Sequence, residues 1–398
     1  MTAMIITGES SGELYGALLA GALIERWPGI RIMGVGGERM QRAGVELIST
    51  ISGAFGITEL FSAIRNLKAT YKKTVGAMKK FMPDVLILID YPDFNMKVAK
   101  VAKSLGIKIL YYVSPQVWAW RKGRVKKIAD LADRIAVILP FEKEIYRKAG
   151  VGCEFVGHPV LEEIESVLQS AFSEQRSASS VKLRTQNSKP RTTYKAALGL
   201  DASRPLLSLL PGSRDHELRG LLPIMIGVVR EFKKEFPDYQ FCIPLAPDTD
   251  EERYLFSLDA LRQEGAVIKK GETIKVLAAS DMAVVASGTA TLQAAFLEVP
   301  MVVIYKLSPP TYLFGRLVVD VKYISLVNLL SGREVVPELL QQKANPEDII
   351  KELKKIIFDV QYREEMLSYY RLIKEPFSGL NASKRVSEIA GEMAGWKS

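Results

Sequence analysis

Asp90 closes the apolar run VLILI in the stretch LIDYPDFN (88–95). A carboxylate at the C-terminal edge of a parallel strand lies where open α/β sheets bind their ligands. Pro92, Asp93 and Asn95 form the turn that follows. Asp93 is placed to cap a helix starting near Asn95, whereas Asp90 stands too early to cap it and is the better candidate for a general base. Glu9 is its rival, in TGESSGELYG (7–16) after the first apolar run. There Gly8 and Gly12 permit a tight turn, Ser10 or Ser11 can cap the next helix, and that helix N-terminus favours an anion or a sugar hydroxyl. Two later loops have the character of phosphate sites. In LSLLPGSRDHE (207–217), Gly212 and Ser213 would expose backbone N–H groups and Arg214 adds a rigid positive fork, a set suited to a diphosphate. In ASGTATLQAA (286–295), Ser287, Gly288 and Thr289 repeat the pattern. Either loop alone reads equally as a plain turn. Two in one half of the chain, with a carboxylate crevice in the other, are harder to dismiss.

Other stretches carry weaker signals. YYVSPQVWAWRKGR (111–124) puts two tryptophans, a proline and three basic residues at a strand end, chemistry that suits sugar faces, acyl chains or phosphate. His158 in GHP (157–159) fits a phosphate contact and a structural histidine equally well. Asn328, isolated in SLVNLLSGRE, needs a hydrogen-bonding partner if buried.

The elements that would position these residues alternate. Strands are expected at 3–7, 30–34, 85–90, 108–112, 134–139 and 153–156, and again near 206–210, 240–244, 266–269, 282–286 and 301–305, with helical patterns between. That alternation predicts two successive doubly wound parallel sheets. The expected domains are 1–170 and 200–345. Between them 171–199, rich in Ser, Thr, Lys and Arg, reads as a flexible insertion, and 346–398 as helices packing across both domains.

The 398 residues include 54 Lys and Arg against 45 Asp and Glu, a net charge of +9. Nine of the basic residues fall between Lys97 and Lys127 with no acid among them. In 55–81 six basic residues meet one acid, Glu59, and interleave with Leu60, Phe61, Ile64, Leu67 and Tyr71 at near-helical spacing. An ordinary domain helix explains this, as does a basic amphipathic helix at lipid headgroups. No zinc-finger, RNP or basic-zipper pattern appears, so nucleic acid is not an expected partner. Two cysteines, Cys153 and Cys242, exclude a disulfide scaffold and read as buried thiols in a reducing cytosol. No apolar run approaches the ~18 residues of a membrane span, and MTAMIITGES lacks a signal peptide's basic region. A dinucleotide fingerprint and a metal-ligand cluster are both missing from the pattern, so no cofactor and no metal are expected.

GESSGE, GVGGERM, DYPDFN, YVSPQVWAWRKGR, LPFEK, FVGHP, LLPGSR, SGTATLQ, PMVVIYKL and SLVNLLSGRE lie in order from residue 8 to 334. Together they resemble the lipid-A-disaccharide synthases, glycosyltransferases of the GT-B fold, in which two Rossmann-like domains face a crevice. The resemblance implies inverting transfer of a diacylglucosamine from UDP to the 6-hydroxyl of diacylglucosamine 1-phosphate, giving a β-1,6 disaccharide and UDP. It further implies that Glu9, Asp90, Arg214 and Asn328 bear on activity, and that the donor is held by Gly212, Ser213, Arg214, Ser287, Gly288, Thr289, Gln293 and Asn328. The acceptor or lipid would meet Ser11, Asp93, Asn95, Ser114, Trp118, Trp120, Arg121, Phe61, Lys68 and Lys72. The inner face of the cytoplasmic membrane would be a peripheral partner, and a homodimer is compatible with the sequence. One departure is chemical: the family commonly has an acid where SGTATLQ ends, so Gln293 would meet a ribose as a neutral amide or not at all. The other is the length of the 172–197 insertion. A UDP-GlcNAc 2-epimerase, another GT-B transferase or a non-catalytic UDP-sugar sensor would share the two domains. The sensor would tolerate loss of Asp90, and the epimerase would not need a basic amphipathic face.

Overall fold

The computed structural model describes residues 1–50, 60–114, 123–176, 191–307 and 322–397. It divides into two compact units, one built from residues 1–159 and 379–397, the other from 160–307 and 322–378.

In the first unit seven parallel strands lie in the order β3-β2-β1-β4-β5-β6-β7. They are β1 (Thr2–Ile6), β2 (Arg31–Gly36), β3 (Glu46–Thr50), β4 (Val85–Ile89), β5 (Lys108–Tyr112), β6 (Arg134–Val137) and β7 (Cys153–Phe155). Helices α1 (Ser10–Arg26), α2 (Glu38–Arg42), α3 (Leu60–Phe81), α4 (Pro92–Ser104), α5 (Gly123–Leu131) and α6 (Glu142–Lys148) connect them. VLILI is apolar throughout because both faces of β4 are covered, and all five residues are buried. β1 pairs with β2 on one side and β4 on the other, so the strand order reverses between β1 and β4. Ile6 is in register with Leu88, and the Glu9 and Asp90 loops therefore leave adjacent strand ends at the switch point.

The second unit repeats the plan with six parallel strands ordered β10-β9-β8-β11-β12-β13. After α7 (Pro159–Arg176) and α8 (Arg191–Ala197) come β8 (Leu206–Leu210), α9 (Asp215–Glu235), β9 (Gln240–Leu245), α10 (Leu255–Gln263), β10 (Ala266–Lys270), α11 (Thr273–Ala279) and β11 (Met282–Ala286). Then follow α12 (Thr289–Phe296), β12 (Met301–Tyr305), α13 (Leu326–Ser331) and β13 (Glu338–Leu340). Here the reversal falls between β8 and β11, whose following loops are LPGSR and SGT. Asn345, Asp359 and Asn381 cap α14 (Pro346–Phe358), α15 (Val360–Lys374) and α16 (Ala382–Ala394), each side chain accepting the N–H three residues on.

Some expectations need correction. Residues 160–170 belong to the second unit, not the first. The C-terminal helical block serves both units, as expected: α14 and α15 build the second, and α16 packs on α1 in the first. The insertion is helical on both flanks, through Arg176 and from Arg191, with Tyr194 and Lys195 buried. Lys195 Nζ donates to Asp281 Oδ2 at 2.7 Å and to the Arg204 carbonyl at 2.8 Å. Residues 177–190 lie outside the described residues. Cys242 is fully buried, but Cys153 is only partly so, and burial pushes both thiols up to about 12.

Candidate active site

At the first unit's switch point the backbone leaves β4 in an unusual way. Asp90 and Tyr91 both adopt left-handed conformations, φ 46° and 47°, and Val113 at the end of β5 has φ 57°. For residues with a Cβ each such conformation costs about 1–2 kcal/mol, so surrounding bonds must impose it. They do: Asp90 N–H donates to the Val113 carbonyl at 3.0 Å, and Val113 N–H to the Ala136 carbonyl at 3.1 Å. Gly8 is required here, because the Tyr91 ring stands 2.1 Å from where a Cβ on residue 8 would sit. Tyr91 stacks on Phe94 at 5.1 Å between centroids, and its phenol is raised by burial and then by Glu9. Glu9 itself is exposed and forms the N-cap of α1, without a side-chain capping bond. Since α1 begins at Ser10, Ser10 and Ser11 lie in its first turn instead of capping it.

Three acceptor-side candidates have partners within the chain. α4 begins at Pro92, so Asp93 lies inside its first turn and pairs with Arg124 at 2.6 Å instead of capping. Asn95 is 0 % exposed and binds backbone carbonyls. Ser114 is buried and shares a hydrogen bond with the Tyr146 hydroxyl. His158 is also buried, edge-on to Tyr15 at 6.0 Å, and desolvation lowers its pKa to about 3, so it is a neutral imidazole at physiological pH. Trp118, Trp120, Arg121 and the Phe61 side chain lie outside the described residues.

The second unit's switch point departs from expectation in its first loop. Ser213 N–H, one of the two expected with Gly212 N–H to face a diphosphate, donates at 3.0 Å to Glu217 Oε2, and Arg214 N–H donates to the same oxygen at 3.1 Å. Gly212 is favoured by its left-handed backbone, φ 91°, and the Glu217 carboxylate occupies the space beside it. What this loop offers an anion is the Arg214 guanidinium, 54 % exposed at the side chain and 3.8 Å from Glu217 Oε1. Tyr305, ending β12, is raised by burial and by the same Glu217. In the second loop Gly288 is exposed at the N-cap of α12, with nothing within 4 Å of where a Cβ would sit, and Thr289 opens the helix. Ser287 Oγ donates to the Ile324 carbonyl at 2.9 Å. Gln293, 9 % exposed, donates at 2.7 Å to Glu163 of α7.

The family model described as lipid-A-disaccharide synthetase matches residues 3–183 and 179–390. The lipid-A-disaccharide synthase of Syntrophus aciditrophicus is 41% identical over 389 residues, 97% of this chain and 96% of that protein. The enzyme of that name from Myxococcus xanthus is 39% identical over 396 residues, 98% of this chain and 97% of the other. The chain belongs to the lipid-A-disaccharide synthase family. Among solved structures, UDP-GlcNAc 2-epimerase from Neisseria meningitidis bound to UDP-GlcNAc matches with a TM-score of 0.67 at 12% identity, covering 98% of this chain and 100% of that one. A UDP complex of a transferase from Siraitia grosvenorii matches at 0.54 with 11% identity, covering 98% and 99%. At such identities the likeness concerns the GT-B fold.

In this synthase-family chain Asn328 is used up internally. Its amide donates to the Val336 carbonyl and to Glu338 Oε1, both at 2.8 Å, and its oxygen accepts Val335 and Val336 N–H at 2.7 and 2.9 Å. It is therefore a staple of the α13–β13 connection. Glu338 completes the staple by accepting Ile324 N–H, Ser325 N–H and the Ser325 hydroxyl. Sequence reading missed Glu338 and Glu217, as well as Glu13, whose carboxylate takes Arg39 N–H at 2.7 Å and fills the space a Cβ on Gly37 would need. The shared signal was an acid within a few residues of a glycine turn or a short helix start.

On α3, Tyr71, Thr74 and Met78 turn toward the core, with Tyr71 edge-on to Phe94 at 6.2 Å. Lys68, Lys72, Lys73, Lys79 and Lys80 are exposed, and Leu67 is 40 % exposed among them. Tyr71 thus belongs to the core face of this helix, not to its basic face. Among the described residues no helix is long and apolar enough to cross a membrane.

Proposed function

We propose that this chain is the glycosyltransferase that joins UDP-2,3-diacylglucosamine to 2,3-diacylglucosamine 1-phosphate, forming the β-1,6-linked lipid A disaccharide 1-phosphate and UDP. The observation that carries the reading is that each sheet reverses its strand order at the very loops occupied by the family motifs, Glu9 and Asp90 in one unit, Arg214 and Ser287–Thr289 in the other. Inversion requires a single displacement, in which a base removes the acceptor's hydroxyl proton as the UDP oxygen leaves. Asp90 is assigned that proton. Arg214 and the α12 N-terminus are assigned the charge growing on the diphosphate. Gly212 and Ser213 contribute by shaping the loop around Glu217. Incubating the purified chain with both substrates and seeking the disaccharide 1-phosphate by mass spectrometry tests the reaction. UDP release without an acceptor-dependent disaccharide would overturn it.

Both proposed substrates carry acyl chains, which gives the exposed lysine face of α3 a purpose. It fits peripheral contact with an anionic membrane surface, at the inner leaflet where these substrates would reside.

A further inference from the structure

One buried residue holds the whole exit from β4. Asn95 Nδ2 donates to the Asp90 carbonyl at 2.7 Å and to the Ile89 carbonyl at 3.2 Å, while its own N–H donates to the Tyr91 carbonyl at 2.9 Å. The side chain of this asparagine, 0 % exposed, thus ties two successive carbonyls, while its N–H makes the ordinary first bond of α4. The Asp90 carbonyl receives a second bond, from the Tyr111 hydroxyl at 2.9 Å. Tyr111 is 1 % exposed, and burial together with the nearby Asp90 raises its phenol well above the usual range, so it remains a donor at any working pH. With Asp90 N–H tied to Val113, both backbone polar groups of Asp90 are fixed.

We propose that Asn95 and Tyr111 are positioning residues for the reaction: they hold Asp90 and Tyr91 in consecutive left-handed conformations and thereby aim the Asp90 carboxylate. The cap of a helix does not require this arrangement, since α4 starts from Tyr91 with no side-chain capping bond and a proline at its first position. Nor does sheet pairing require it, since β4 and β5 are already in register from Val85 to Ile89. The clamp acts on the backbone of Asp90, one of the two carboxylate residues at the strand-order reversal, and not on that of Glu9. An asparagine suits this task because its amide offers two donors without charge, and a charged donor would perturb the adjacent carboxylate.

This inference rests on Asp90 being the base, and a double-mutant cycle separates the two ideas. Turnover and donor KM are measured for wild type, Tyr111→Phe, Asn95→Ala, Asp90→Asn and the two doubles that combine each clamp variant with Asp90→Asn. Tyr111→Phe removes one oxygen and leaves the ring in the core, so it carries the test if Asn95→Ala does not fold. A misaimed base should cost up to about 10²-fold in kcat with donor KM unchanged. In the Asp90→Asn background the same clamp substitution should cost almost nothing further, because there is no longer a base to aim. An equal loss in both backgrounds means the clamp serves the fold alone and overturns the inference. So does wild-type turnover in Tyr111→Phe. Near-normal turnover in Asp90→Asn by itself overturns the base assignment instead, and is read from a different arm of the cycle.

Discussion

Asp90 and Glu9 leave adjacent strand ends, and their substitutions should part company. Asp90→Asn preserves shape but cannot accept a proton, so turnover should fall about 10²–10⁴-fold with donor binding little changed. Should Glu9→Gln abolish turnover while Asp90→Asn keeps it, Glu9 is the base. Arg214→Ala should weaken UDP binding by about 1.5–3 kcal/mol, roughly 10- to 150-fold, and Arg214→Lys should restore little because a point charge cannot replace the planar fork. Unchanged UDP affinity by calorimetry in the alanine variant would sink that role. His158 supplies a pH signature. Its folded pKa near 3 lies below the ordinary value, so the unfolded chain gains a proton first as pH falls below about 6.5. Stability from this residue is present above that pH and is lost below it, about 2 kcal/mol between pH 7.5 and pH 5. Denaturant melts of His158→Gln should show a correspondingly smaller acid loss, and identical curves would contradict the neutral buried imidazole.

At the scale of elements, most of the architecture was legible. Strands such as Lys108–Tyr112, Leu206–Leu210 and Met282–Ala286 fall where apolar runs end in turns, because central parallel strands are covered on both faces. The strands that escaped notice are the edges β3 and β13. ELIST is partly exposed along its length, and β13 has only three residues, so neither shows a continuous apolar run. The loops were legible for position but not for role. Asn328 and Asn95 looked like ligand contacts because an isolated polar residue announces only that it needs a partner. Which partner depended on carbonyls and acids brought in by folding. Glu217 and Glu338 carried only a weak signal, their nearness to a glycine turn or a short helix start, because sequence does not separate an acid that accepts backbone N–H groups from a solvated one. The Gln293–Glu163 bond, joining α12 to α7 across 130 residues, is testable at this scale. Gln293→Glu would set two carboxyls side by side, raising the pKa of one. The variant's Tm deficit should therefore grow as pH rises from 5 to 8, whereas Glu163→Gln, still able to pair amide with amide, should not show that trend. A pH-independent deficit in Gln293→Glu would exclude carboxyl repulsion as its cause.

For the whole molecule, the excess of nine positive charges gains meaning from where lysines are displayed. The five lysines on α3 are exposed beside Leu67, and each contributes about 1 kcal/mol near an anionic surface. Vesicles containing anionic lipid should float the protein at low salt and release it at high salt, with less recovery for a variant changing Lys68, Lys72 and Lys73 to Gln. Equal recovery on neutral and anionic vesicles at every salt concentration would remove charge from the account.

The first unit is discontinuous in the chain. α16 lies against α1, with Trp27 and Trp396 edge-on at 5.0 Å and the Trp27 ring 2.3 Å from where a Cβ on Gly391 would sit. Arg385 reaches Glu154 through two bonds of 2.5 and 3.0 Å. The order of synthesis then matters. When Pro159 has emerged from the ribosome, the helix that covers Trp27 has not been made, and more than 200 further residues must be translated first. At ordinary elongation rates that is roughly 10–45 s during which the α1 face is open to water, to chaperones and to other nascent chains. The second unit, whose described segments fall within 160–378, has its whole sequence translated before the first can be sealed. The part of the chain made first is thus the part finished last.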